Sequence, residues 1–342
     1  MKQKRPPFWL PLPADKMRVA VVGIGAMGCL FGAKLSQVAQ VTLVGNWAAQ
    51  LTALTNRGLR FIQPNGRSQT YNLTVTNEPQ TAAPADLALI LVKSHQTEQA
   101  AQTASQLLAP EGVALTLQNG LGNLEKLTAV LGSRRTNLGI TSEGAALVEP
   151  GVVRHAGAGQ TYIAQTTETA VPPQKIVSLL QAAGFHTSLA ENVSGLVWGK
   201  LAVNAGINPL TAVLQVPNGF LAENELARQL MEQAAQEVAL VAAAQKLELP
   251  FTDAAAQALA VAQATAANHS SMWQDLANGR PTEIEAICGA VVTAGQQWGV
   301  ATPVNKVLQT AVLRAEQGVW PDAASPQAIL RQLARQSKKI QK

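Results

Sequence analysis

Lys200, Asn204 and Asn208 follow one another at four-residue spacing inside residues 198–219, which read WGKLAVNAGINPLTAVLQVPNG. Residues four apart stand on one side of a helix, drifting by about 40° per step, so the three predict a polar stripe on an apolar segment. An ammonium among Leu, Ala, Val and Ile is costly unless it meets a ligand, a carboxylate or a cleft. A lysine so placed beside a ketone can donate a proton to a developing alkoxide and stabilise its charge. Asn208 precedes Pro209, and a residue before proline disfavours helical angles, so the helix is expected to bend or end there.

A second group of residues supplies the other half of such chemistry. Gly23-Ile24-Gly25-Ala26-Met27-Gly28 matches G-x-G-x-x-G. An apolar run at 17–22 precedes it, a helix is expected over 26–37, and a second strand over 41–44. The first glycine permits a tight turn, the second lets a pyrophosphate approach the backbone, and the third lets helix pack on strand. This context predicts dinucleotide binding, and with the isolated lysine it points to hydride transfer to a carbonyl. After the second strand comes Gly45-Asn46-Trp47, without the acid that would hold an NAD ribose, so NADP is favoured. Arg57 and Arg60 either reach in from downstream or are ordinary surface residues.

Further candidates stand where strands are expected to end. Residues 86–92 predict a buried strand leading to Lys93, a cofactor or cleft residue with a plain surface lysine as the alternative. Residues 113–117 predict another leading to Asn119, which either lines the crevice or merely begins a glycine turn. A last polar group spans 268–285. Gly279 and Pro281 break the helix there, and Thr282 with Glu285 fits a capping box. Glu283 would then sit in a first helical turn, stabilised by the dipole. Ser270 and Ser271 can simply cover a polar helix face, and His269 reads as a structural histidine.

The elements that must position these residues divide the chain. Expected helices at 96–108, 122–131 and 173–183 alternate with strands near 137–141, 152–155, 160–164 and 185–189. That alternation argues an α/β domain with a doubly wound, mostly parallel sheet over 17–190. From 191 the strand signals stop, and helices are expected at 192–207, 222–247, 253–277, 282–298 and 303–317, giving an all-helical domain over 191–325. A basic, Pro-rich extension (1–16) precedes the sheet. One or two amphipathic turns and a basic tail (326–342) follow the helices.

The 342 residues exceed what one core usually serves, in keeping with two domains. Much of the net charge of +5 lies at the ends, in Lys2, Lys4, Arg5, Arg331, Arg335, Lys338, Lys339 and Lys342. Solvated ends account for it. No interior stretch interleaves Lys or Arg with aromatics as a nucleic-acid groove would, while a mildly basic body suits an anionic ligand. Cys29 and Cys288, the only cysteines, are too few for a disulfide framework or metal knuckle, which suggests a reducing cytoplasm and no metal. No signal peptide is expected, and no apolar run reaches the ~20 residues a membrane span needs.

Taken together and in order, GIGAMG, LVKSHQT, LQNGLGN, WGKLAVNAGINPLTA, VPNG and HSSMWQDLANGRPTEIEAICG resemble the ketopantoate reductases (2-dehydropantoate 2-reductases) over roughly residues 17–320. The resemblance implies NADPH-dependent reduction of 2-dehydropantoate to (R)-pantoate, on the route to pantothenate and coenzyme A. It implies Lys200 as proton donor, with Asn204, Asn208 and Asn218 bonding the substrate and Ser271 holding its carboxylate. Glu283 would sit where substrate meets cofactor, Gly23 to Gly28 would carry the pyrophosphate, Lys93 and Asn119 would line the cofactor, and Ala145 would contact the nicotinamide. The chain departs from the family at Asn46, where an arginine commonly grips the 2′-phosphate, and in its N-terminal extension. Two alternatives stand beside this reading: a paralogue that reduces another 2-keto acid, and a nucleotide-binding sensor without turnover. A small-molecule partner and a monomer or homodimer are expected.

Overall fold

The computed structural model describes residues 16–340 apart from 83, 167 and 322–324. The expected extension over 1–16 lies, save for Lys16, outside the described residues. The first half runs β1 (Arg18–Val22), α1 (Ala26–Leu35), β2 (Gln40–Val44), α2 (Ala48–Arg57), β3 (Leu59–Ile62), β4 (Ser68–Tyr71), β5 (Thr74–Thr76), β6 (Ala85–Ile90), α3 (Thr97–Leu107) and β7 (Leu108–Thr116). It continues with α4 (Asn123–Leu131), β8 (Thr136–Thr141), β9 (Gly144–Glu149), β10 (Val152–Gly157), β11 (Gln160–Ala164), α5 (Pro173–Ala182) and β12 (His186–Ala190).

Eight strands form one sheet in the order β12-β11-β8-β7-β6-β1-β2-β5. Its pairs are parallel except β11 against β8. Successive side chains of a strand point to opposite faces, and here both faces are covered. Val19 and Val21 of β1 and Leu87 and Leu89 of β6 join Leu30 and Phe31 of α1 on one side. Ala20, Val22, Ala88 and Ile90 join Ala100 and Ala104 of α3 and Leu127 of α4 on the other. Fully burying a side chain such as Phe31 or Leu87 contributes about 1.5–3 kcal/mol. That two-sided burial makes these strands read as unbroken apolar runs.

A second sheet, β4-β3-β10-β9, was not expected beyond a strand near 152–155. β3 and β4 are antiparallel around Asn65-Gly66, with Gly66 at φ 81° and Gln63 N–H donating to the Arg67 carbonyl at 2.8 Å. An Asn-Gly pair between alternating residues is a hairpin signal, and it stands plainly at 65–66.

In the second half α6 (Val193–Leu214), α7 (Gly219–Glu223), α8 (Glu225–Ala244), α9 (Ala254–Ala264), α10 (Ser271–Ala277), a π-helical turn (Glu285–Gly289), α11 (Ala290–Trp298), α12 (Pro303–Glu316) and α13 (Pro326–Ile340) surround a separate core. Four expectations are corrected here. α6 neither ends nor breaks at Asn208 but runs through Pro209 to a left-handed Gln215. It is buried on nearly every side, so tertiary packing outweighs the proline penalty. The Thr211 hydroxyl also serves the carbonyls of Ile207 and Asn208 at 3.0 and 3.1 Å.

The helix expected over 222–247 is interrupted at Asn224, whose side chain caps α8 by accepting from Ala227 N–H. The one expected over 253–277 is two, because Ser270 caps a new start by accepting from Trp273 N–H. Ser and Asn compete with helical bonding and favour such caps. The expected turns and basic tail are, over residues 326–340, instead the fifteen-residue α13, anchored by buried Leu330 and Leu333, and residues 341–342 lie outside the described residues.

Candidate active site

The strand ends of the large sheet form the crevice in which such folds hold ligands. Gly23 has φ +114°, and a Cβ there would lie 2.8 Å from the Leu91 backbone beyond β6. A Cβ on Gly28 would strike the Gly23 carbonyl, whereas one on Gly25 would meet nothing within 4 Å. The turn is thus closed on its protein side and open at Gly25, where a pyrophosphate would lie. Gly25, Ala26 and Met27 are part-exposed at the start of α1, which has no side-chain cap. Ile24 is buried and packs over Gly45. Asn46 and Trp47 are exposed at the end of β2.

Arg57 does not reach this place. It ends α2, about 15 Å along the axis from Trp47 by helical rise, and donates to the Pro150 carbonyl at 3.2 Å. Arg60 is exposed on β3 in the second sheet. No basic side chain at Asn46 follows from either arginine.

At the ends of β6 and β7 the helical half closes on the sheet. Glu283 is 6% exposed, and it accepts from Ser94 N–H at 3.2 Å and from Asn119 Nδ2 at 3.5 Å. Lys93 Nζ lies 3.7 Å from the same carboxylate and 2.6 Å from Asp275 Oδ2, and Arg280 Nε bonds the other Asp275 oxygen at 3.3 Å. Burial works against the Lys93 ammonium, but Glu283 and Asp275 outweigh it and raise its pKa above the ordinary value. The capping-box expectation fails here. Glu316 takes the Thr282 N–H at 2.7 Å, the Thr282 hydroxyl accepts from Ile284 N–H, and Glu285 accepts from Gln309. Glu283 is thereby free to cross between the halves. The π turn that follows it is a form common at functional sites.

At the end of β8, Lys200 Nζ donates to the Thr141 carbonyl at 2.5 Å. Lys93, Asn119 and Thr141 thus stand at the ends of three neighbouring strands, facing groups from the helical half. Burial pushes the Lys200 ammonium down to about 8, against the pull of Glu283. Ala145 stands on β9, opposite His155 of β10 in the register.

One and two turns along α6 lie Asn204, half-buried, and Asn208, 8% exposed. Among the described residues no hydrogen bond engages either side chain, while the Asn208 carbonyl accepts from Thr211 Oγ1. Side-chain amides left without a protein partner beside a lysine suit a polar ligand. The end of α6 meets the start of α10 through a hydrogen bond between the Thr211 and Ser270 hydroxyls at 2.8 Å. Because Ser270 is the cap, the adjoining Ser271 is left exposed on the first turn. Asn218 bonds Thr265 and the Asn268 carbonyl on the loop leading there, and its buried Oδ1 has no partner among the described residues. His269 is exposed, its ring 4.0 Å from that of Trp273.

Four participants were not singled out in the sequence: Ser94 and Thr141 act through main-chain groups, which leave no residue-type signal. Asp275 and Arg280 lay inside the quoted 268–285 stretch, and their opposite charges five apart were the available sign.

The crevice and the lysine stripe define the class, a dinucleotide-fold oxidoreductase with a helical second half. The models of the family described as ketopantoate reductase PanE/ApbA match residues 19–168 and, for its C-terminal part, 192–316. The chain belongs to the ketopantoate reductase family. A 2-dehydropantoate 2-reductase of Halobacterium salinarum is 37% identical over 305 residues, 88% of this chain and 99% of the relative. One of Archaeoglobus fulgidus is 34% identical over 308 residues, covering 88% and 99%. Among solved structures, a PanE/ApbA family ketopantoate reductase from Ralstonia eutropha superposes with TM-score 0.81 at 31% identity, covering 89% of this chain and 99% of that one. A D-mandelate dehydrogenase ternary structure with NADH and anilino(oxo)acetate superposes with TM-score 0.82 at 27% identity and the same coverage.

Proposed function

We propose that this protein reduces 2-dehydropantoate to (R)-pantoate with NADPH, in the cytoplasm and on the route to pantothenate and coenzyme A. The observation that carries the reading is Lys200 at a strand end of the crevice, in line with the unpartnered amides of Asn204 and Asn208. The relatives named 2-dehydropantoate 2-reductase, which match nearly end to end, supply the substrate.

When bound, the nicotinamide supplies the hydride. The turn from Gly23 to Gly28 would hold the pyrophosphate, with Lys93 and Ala145 along the rest of the cofactor, Asn119 touching cofactor and substrate, and Glu283 as a catalytic residue where the substrate hydroxyl meets the cofactor. Lys200 donates its proton to the ketone oxygen and is left a neutral amine that recovers a proton from solvent. An ammonium lowered toward neutrality gives up that proton more readily than an ordinary lysine. Asn204, Asn208 and Asn218 would bond the substrate's polar groups, and Ser271 its carboxylate. NADPH is favoured over NADH because no acid stands at Asn46 to repel a 2′-phosphate.

A second reading, reduction of another 2-keto acid with NADH, draws on two observations. The mandelate dehydrogenase neighbour was solved with NADH and an oxoacetate, and Asn46 stands where the resemblance implies an arginine. Steady-state turnover of 2-dehydropantoate and a panel of 2-keto acids, each with NADPH and NADH, separates the two. 2-Dehydropantoate with NADPH is expected to give the highest kcat/KM, and any other winner overturns the assignment.

A further inference from the structure

The turn between β8 and β9 carries a buried polar contact that the proposed reaction leaves without a role. Glu143 Oε2 lies 2.6 Å from His155 Nε2 of β10, and the two side chains are 1% and 8% exposed. Apolar side chains of similar volume would often stabilise such a place at least as well, so packing alone does not account for the pair.

What the pair holds is close by. Glu143 N–H donates to Thr141 Oγ1 at 3.2 Å, and that hydroxyl bonds Thr161 Oγ1 of β11 at 2.8 Å. Between them, Ser142 N–H donates to the Gln160 carbonyl at 2.9 Å. The main chain of the turn is therefore tied to the large sheet, while the Glu143 side chain ties it to the second sheet. The Thr141 carbonyl that receives Lys200 begins this turn, and Ala145, opposite His155, lies just beyond it as the second residue of β9.

We propose that Glu143 and His155 are positioning residues: their buried bond sets the β8–β9 turn so that the Thr141 carbonyl holds the Lys200 ammonium at the crevice. Only the kinetic consequence rests on Lys200 being the proton donor. One ammonium N–H is then committed to Thr141, which orients the other two. A displacement of the order of 1 Å at such a point costs about a hundredfold in rate.

The test compares the full-length wild type with Glu143→Ala, Glu143→Gln and the double variant Glu143→Leu/His155→Leu. The double variant removes the pair without leaving either partner buried alone, which guards against simple unfolding. Two readouts are taken, kcat with KM, and the Lys200 ammonium protons by heteronuclear NMR. Slow-exchanging Lys200 protons are expected in the wild type and in Glu143→Gln, where an amide can still bond the imidazole. They are expected to be lost in Glu143→Ala and the double variant, with kcat down about 10–100-fold and the substrate KM changed less than about threefold. A folded double variant that keeps the protected ammonium, or keeps kcat within twofold, overturns the proposal. So does a wild-type Lys200 that exchanges as fast as exposed lysines. A wild type that turns over no 2-keto acid would sink the proposed function instead, and the NMR contrast would still decide the anchor.

Discussion

Lys93 and Asp275 stand 182 residues apart in the chain and 2.6 Å apart in space, at the end of β6 and on α10. Their contact, with Glu283 beside it, pins the helical half to the strand ends where the crevice opens. Asp275 is 2% exposed and is also bonded by Arg280, so its charge is compensated on both sides. Lys93→Ala, Asp275→Ala and the double variant, compared by chemical denaturation, are expected to show a coupling of about 0.5–3 kcal/mol, as contacting pairs do. Strict additivity would mean that the contact stabilises nothing.

Lys200→Ala is expected to lower kcat by about two to four orders of magnitude, the range for a lost general acid. Cofactor binding, followed by fluorescence quenching, is expected to remain within a few-fold. Near-normal turnover would remove Lys200 from the chemistry.

The pH dependence follows from the same residue. Reduction needs the protonated amine, and burial brings the Lys200 ammonium down to about 8. kcat/KM for the ketone is thus expected to fall as pH rises through about 8, without that limb in Lys200→Ala. An alkaline limb that stays near 10, the ordinary lysine range, would place the amine in water.

Two glycines of one turn are expected to fail differently. Gly28→Ala puts a methyl against the Gly23 carbonyl and is expected to destabilise the fold by at least 1–3 kcal/mol, as overpacking does. Gly25→Ala meets no protein atom within 4 Å, so its melting temperature is expected to hold while its cofactor KM rises. Equal loss of stability in both would mean that the open side of the turn is not a ligand site.

Asn46→Arg is expected to raise the NADPH over NADH preference about tenfold or more, the worth of a charge-assisted hydrogen bond. Asn46→Asp is expected to move it the other way. Ratios of kcat/KM measured with one 2-keto acid decide this, and no change in either variant would take Asn46 out of cofactor choice.

Local pattern was enough to determine the α/β first half, the helical second half, the glycine turn and the polar stripe of α6. Strand and helix periodicities and a fixed motif spacing lie within a few residues of one another, so they can be read directly. Val19 to Val22 carries its strand in its own composition, and Gly25 its turn. The second sheet was less legible, because β3 and β4 are half-exposed and β10, the strand that joins β3 to the rest of that sheet, lies about ninety residues away. Pro209 misled for a related reason: its local preference is real, but burial of α6 on nearly every side outweighs it.

Only the tertiary structure decided that Glu283 reaches Ser94 and Asn119 instead of capping its own helix, across separations of 189 and 164 residues. It likewise decided that Lys200 has a main-chain carbonyl for a partner, 59 residues back at Thr141. A carbonyl is present in every residue, so nothing in residue type distinguishes the one at Thr141. The packing of α6 against the end of β8 singles it out.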